Sequence, residues 1–177
     1  MPNQKLQIGI IGSAGKEEYQ GKKPKQEIYD LSYRLGQLVA KRGAVVITGG
    51  KTGIMELAAK GAKEAGGIVV GIVKGAIRKT ANKYIDVEVV SGMEGGGEAS
   101  ILVLSCDGLI GIGGGAGTLQ ELTYAYRNKK PVVLINSLPG WSKTLAGKYI
   151  DDRQILKFKT APNPDKAVKM LFDLLKV

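Results

Sequence analysis

The sequence predicts an α/β chain with a doubly wound, mostly parallel sheet of six or seven strands and helices on both faces. Three observations carry that expectation. Strand-sized apolar runs alternate with amphipathic helical stretches. Glycine-rich turns follow most of the strand-sized runs. The segments between most of those runs are long enough for helical crossovers between parallel strands. At 177 residues the chain fits one domain, residues 1–177, large enough to bury a two-sided sheet without a disulfide or metal staple.

Residues 6–11 are apolar enough for a buried first strand and run into Gly12-Ser13-Ala14-Gly15. Ile28, Leu31, Leu35, Leu38 and Val39 recur at helical spacing across 24–42, and Gly43 is a suitable stop. A second strand, 44–48, breaks at Gly49-Gly50-Lys51-Thr52-Gly53. Ile54, Leu57, Ala58, Gly61, Ala62 and Ala65 then mark a helix with a small-residue face. A third strand at 68–73 is joined by a basic loop, 74–83, to a fourth at 85–90. After Gly95-Gly96-Gly97 a buried helix spans 98–106. The fifth strand is 108–112, a tight loop occupies 113–117, a helix covers 118–128 and the sixth strand is 132–135. Residues 141–154 read as a short helix and loop, 158–160 as a last short strand, and 164–176 as a closing helix. Right-handed crossovers between such strands give a Rossmann-like arrangement.

Composition removes several kinds of chemistry. Histidine is absent, which excludes Ser-His-Asp triads and the commonest metal ligand, so neither a metal nor a resident cofactor is expected. Cys106, the sole cysteine, lies in an apolar stretch and reads as a small buried hydrophobe. No apolar run approaches a membrane span, and the first residues lack the apolar core of a signal peptide, so a cytoplasmic location is expected. The net charge of +10 is unevenly spread: no Lys or Arg occurs from 84 to 126, where six acids do. A basic surface suits an anionic ligand, although solvated loop lysines explain the same charge. The net charge permits nucleic-acid binding as a third reading, but aromatics are few and not interleaved with basic residues, so nucleic acid is the least favoured partner.

In an open parallel sheet, ligands bind beyond the carboxyl ends of the strands. There the chain carries Gly12-Ser13-Ala14-Gly15, then Gly49-Gly50-Lys51-Thr52-Gly53, then Gly92 to Gly97, then Gly113-Gly114-Gly115-Ala116-Gly117-Thr118. Such loops let backbone N–H groups approach an anion, and a following helix start adds positive dipole. Some of these glycines are equally explained by tight turns and close packing. Gly50-Lys51-Thr52 lacks the upstream glycine of a Walker A loop, and the Gly111-x-Gly113-x-x-Ala116 pattern lacks the acid that a dinucleotide site needs. Lys16, Lys22, Lys23, Lys25, Lys51, Lys74, Arg78, Lys79 and Lys83 are expected around one half of the crevice, with only acids on the other.

Gly113-Gly114-Gly115-Ala116-Gly117-Thr118-Leu119-Gln120-Glu121 resembles the PGGxGTxxE motif of the LONELY GUY family, also labelled lysine decarboxylase-like, with Gly113 in place of the proline. Gly49 to Met55, Gly66 to Ile72 and Gly12-Ser13 resemble further parts of that family. The resemblance implies a phosphoribohydrolase that cleaves the N-glycosidic bond of a nucleoside 5′-monophosphate. It implies that Gly114, Gly115, Ala116, Gly117 and Thr118 hold the phosphate and that Glu121 is the catalytic carboxylate. Thr118-x-x-Glu121 also spells a capping box, a purely structural role. The family's arginine before the fifth strand is missing: the stretch reads Met93-Glu94-Gly95-Gly96-Gly97-Glu98-Ala99-Ser100. Its loss costs several kcal/mol of transition-state stabilisation unless Lys51, Arg78 or Lys79 substitutes. A related group, the molybdenum cofactor carrier proteins, shares the GGGAGT-type loop, so a non-catalytic carrier of a phosphorylated pterin is the alternative. Family members are usually homo-oligomers, and Leu122, Tyr124, Ala125 and Tyr126 offer a contact face or ordinary core.

Overall fold

A computed structural model describes residues 4–14 and 26–176. The elements are β1 (Gln7–Gly12), α1 (Gln26–Lys41), β2 (Val45–Thr48), α2 (Ile54–Glu64), β3 (Val69–Val73), β4 (Val87–Val90), α3 (Glu98–Leu104), β5 (Gly108–Ile112), α4 (Ala116–Arg127), β6 (Val132–Ile135), α5 (Trp141–Leu145), β7 (Lys159–Ala161) and α6 (Pro164–Leu175). The seven strands pair in parallel in the order β4-β3-β2-β1-β5-β6-β7. The chain winds outward from β1 to β4, then returns to β1's other side as β5. The switch point therefore lies between β1 and β5, where Gly12 pairs with Ile112.

Alternation along the strands sends side chains to two cores. Ile8, Ile10, Val46, Val69, Ile110, Ile112, Val133 and Ile135 pack with residues of α1, α2 and α6. Ile11, Ile47, Ile72, Leu109, Val132 and Leu134 pack with α3, α4 and Phe158. The small-residue face of α2 has a steric cause. A Cβ on Gly36 would lie 1.9 Å from the Ala58 carbonyl oxygen, and one on Gly61 2.0 Å from that of Tyr33, so α1 and α2 meet backbone to backbone.

Three sequence expectations are corrected. The fourth strand starts at Val87, because Tyr84 and Ile85 turn to pack beside the α1–α2 core and Ile85 lies against Gly71. Helix α3 ends at Leu104, and Cys106 is buried beyond it, its thiol donating to the Leu102 carbonyl. Burial pushes that thiol's pKa up, consistent with the inert role read from sequence. Helix α4 starts at Ala116, two residues early, which makes Gly115 its N-cap with no side-chain cap bond. The Thr118-x-x-Glu121 capping box is therefore not formed. Leu122, Ala125 and Tyr126 are fully buried core residues, not a contact face. No helix among the described residues is long and apolar enough to cross a membrane.

Candidate ligand-binding crevice

At the carboxyl edge of β1, β2 and β5 lies a crevice of about 260 Å³. Of the residues singled out in the sequence, Gly12, Ser13, Gly49, Lys51, Gly115, Gly117, Thr118 and Glu121 line it. A larger hollow, about 490 Å³ beside Lys5, Arg42 and Phe172, lies at the opposite edge of the sheet, away from the glycine loops.

The turn between β5 and α4 is built from its glycines. Gly113 and Gly114 take φ of 58° and 93°, which L side chains rarely adopt. A Cβ on Gly114 would meet the Thr118 side chain at 2.4 Å. The carbonyls of Gly113, Gly114 and Gly115 accept hydrogen bonds from Ser142, Trp141 and Leu119. The N–H groups of residues 114–118 donate to no acceptor among the described residues, and neither does the Thr118 hydroxyl. Five amides without an acceptor at a helix start, beside a hydroxyl, are an arrangement that can receive an anion. Gly114 and Ala116 belong to this turn without lining the crevice wall.

The first loop is held from below. Ser13 is buried, and its carbonyl accepts from the Ile54 N–H at 3.0 Å. The Thr52 hydroxyl donates to the Ala14 carbonyl at 2.6 Å. Gly12 is required where it stands, since a Cβ would lie 2.6 Å from the Ile112 carbonyl oxygen. The remaining expected members of this loop, Gly15 together with Lys16, Lys22, Lys23 and Lys25, lie outside the described residues.

The second loop is tied to the 74–86 connection. Asn82 donates from its backbone N–H to Gly50 and from Nδ2 to the carbonyls of Gly50 and Lys51. Lys51 Nζ in turn donates to the Thr80 carbonyl at 3.2 Å. Gly50, at φ 69° against Val73, shapes this turn and does not line the crevice. Arg78 and Lys79 are exposed on the same connection and do not line it either. The Lys79, Thr80 and Ala81 N–H groups instead converge on the Glu88 carboxylate, holding it below its usual pKa. Lys51 is thus the one cation among the described lining residues.

The opposite wall is acidic. Glu121 stands one turn into α4, only partly open to the crevice. Burial first, and the charge of Glu98 second, push its carboxyl up to about 8. Glu98 opens α3 and lines the same crevice, with Oε2 buried and without a hydrogen-bond partner. The sequence places Glu98 at the start of a buried helix and where an arginine is missing, without marking it as a wall of the site. Gln120 was also passed over as a wall residue: its Nε2 donates to the Gly96 carbonyl and ties α4 to the glycine run, where Gly96 takes φ 89°. Asn82 carried no sequence signal at all.

A family model described as the SLOG cluster4 family matches residues 5–168. The chain is 32% identical over 165 residues to the cytokinin riboside 5′-monophosphate phosphoribohydrolase LOG5 of Arabidopsis thaliana, covering 83% of this chain and 72% of that one. It superposes on the molybdenum cofactor binding protein of Rippkaea orientalis with a TM-score of 0.81 at 30% identity, over 98% and 99% of the two chains. The molybdenum cofactor carrier protein of Chlamydomonas reinhardtii gives 0.79 at 28% identity, over 98% and 100%. DNA processing protein A of Helicobacter pylori, at 18% identity, 98% and 82% coverage and a TM-score of 0.66, shares the fold.

Proposed function

This chain belongs to the SLOG cluster4 family, and from that premise we propose that it binds a phosphorylated, nucleotide-like small molecule, with the phosphate on the 113–118 turn. The observation that carries this reading is the set of unpaired N–H groups at 114–118, beside the free Thr118 hydroxyl, at the mouth of the switch-point crevice. Gly12, Ser13, Gly49 and Lys51 flank the same opening. The relatives support the reading, since one acts on a cytokinin riboside 5′-monophosphate and others bind or carry molybdenum cofactor.

The acidic wall favours binding over turnover. Cleavage of an N-glycosidic bond passes through an oxocarbenium-like state that an ionised carboxylate stabilises. With its carboxyl held near 8, Glu121 is mostly protonated at neutral pH. Glu98 adds negative charge on the wall where the resemblance leads one to look for an arginine. A carrier of a phosphorylated ligand such as a pterin is the first reading. Phosphoribohydrolase activity is the second, favoured by the position of Glu121 one turn from the cradle. The working form is proposed to be a cytoplasmic homo-oligomer, and light scattering on the purified chain reads the subunit number.

Calorimetry with inorganic phosphate, AMP, GMP and a phosphorylated pterin tests the proposal. Saturable binding of at least one is expected, and heat from none of them overturns it. Chromatography of the AMP mixture decides between the readings: free adenine that disappears in Glu121→Ala makes the chain a hydrolase.

A further inference from the structure

We infer that the segment Gly140-Trp141-Ser142, which does not line the crevice, is a peptide-plane clamp that sets the anion cradle before any ligand arrives. This inference rests on the phosphate-binding reading of the 113–118 turn.

The Ser142 N–H donates to the Gly113 carbonyl at 2.9 Å, and the Trp141 N–H to the Gly114 carbonyl at 3.0 Å. In a trans peptide the carbonyl of one residue and the N–H of the next point in opposite directions from one rigid plane. Drawing the Gly113 and Gly114 carbonyls toward α5 therefore turns the Gly114 and Gly115 N–H groups away from it. Those two amides are the ones a helix start does not supply by itself, because they precede α4. Without the clamp, a glycine-rich turn has ready access to flipped planes that would offer a carbonyl to an anion.

The approach is possible only because residue 140 is glycine. It takes φ 123°, and a Cβ there would lie 2.6 Å from the Gly113 carbonyl carbon and 2.8 Å from the Gly114 nitrogen. The Thr144 N–H returns to the Gly140 carbonyl at 3.1 Å, fixing the clamp within its own turn. Ser142 is fully buried beside Gly111, so the clamp is anchored in the α3–α4 side of the core.

The test uses a pair of substitutions at one position. Trp141→Pro removes the N–H at the first helical position, where proline is otherwise well tolerated. Trp141→Ala removes the same indole and keeps the N–H. The expected result is that Trp141→Pro binds inorganic phosphate or AMP about tenfold or more weakly than Trp141→Ala, which matches the wild type. Equal affinity of the two variants overturns the clamp. A second measurement needs no variant: in the ligand-free wild type, the Trp141 and Ser142 amides should be protected from hydrogen exchange while Gly115 exchanges freely. Free exchange at Trp141 and Ser142 overturns the clamp even if Trp141→Pro fails to fold. If the wild type binds no phosphorylated ligand while those two amides are protected, the function reading fails and the clamp geometry stands.

Discussion

Glu98, the first residue of α3, and Glu121, one turn into α4, line the same crevice, and the charge of Glu98 raises the proton affinity of Glu121. No cation from the described residues stands between them, and Glu98 Oε2 accepts no hydrogen bond. A buried, unpartnered carboxylate oxygen is costly, so this pair is the part of the site most exposed to test by substitution.

Glu121 makes stability depend on pH. Its carboxyl sits near 8 in the folded chain against an ordinary 4.5, so between those values the unfolded chain releases a proton that the folded chain keeps. Its contribution is present below the lower value and is lost as pH rises through the higher. Glu121→Gln should therefore be more stable than the wild type at neutral pH, by up to about 3 kcal/mol, with the gap closing toward pH 4. Denaturant titrations at several pH values measure it, and a gap that does not change with pH refutes the assignment.

Glu98→Gln removes the second charge from the wall. The pKa of Glu121 should fall, though burial still holds it above the ordinary value. Anion affinity should rise by about tenfold, since a like charge is gone from a crevice that focuses the field. Calorimetry with inorganic phosphate reads the change, and weaker binding would mean that Glu98 serves the ligand directly.

Gly114→Ala probes the cradle. The residue takes φ 93° and would drive a methyl into the Thr118 side chain at 2.4–2.6 Å. We expect a loss of about 1–3 kcal/mol of stability and of most phosphate affinity. Gly117→Ala, where a Cβ meets nothing within 4 Å, should leave the melting temperature unchanged. Equal melting temperatures for the two variants would show that the turn is not conformationally constrained.

Much of this molecule could be read along the chain. β5 and β6 are buried on both faces, so 108–112 and 132–135 stand out as uninterrupted apolar runs with glycine or proline at their borders. The reading failed where local pattern and packing part company. Ile85 is as apolar as a strand requires but belongs to the loop packed over Gly71. Ala116 and Gly117 sit in a glycine-rich run that reads as a loop, yet they form the first turn of α4, with Gly115 as its N-cap.

The glycine turn, its threonine and Glu121 lie within nine consecutive residues, so their closeness could be read along the chain, while a role for Glu121 came only from the family resemblance. Periodicity and turn chemistry are local, and they survive in one dimension. The Glu98–Glu121 pair, the Asn82 ties to the Lys51 loop and the hold of Trp141 and Ser142 on Gly114 and Gly113 join residues 23 or more positions apart. Those relationships exist only once the crossovers have packed, because the chain's path and not its spacing brings the groups within hydrogen-bonding and electrostatic range.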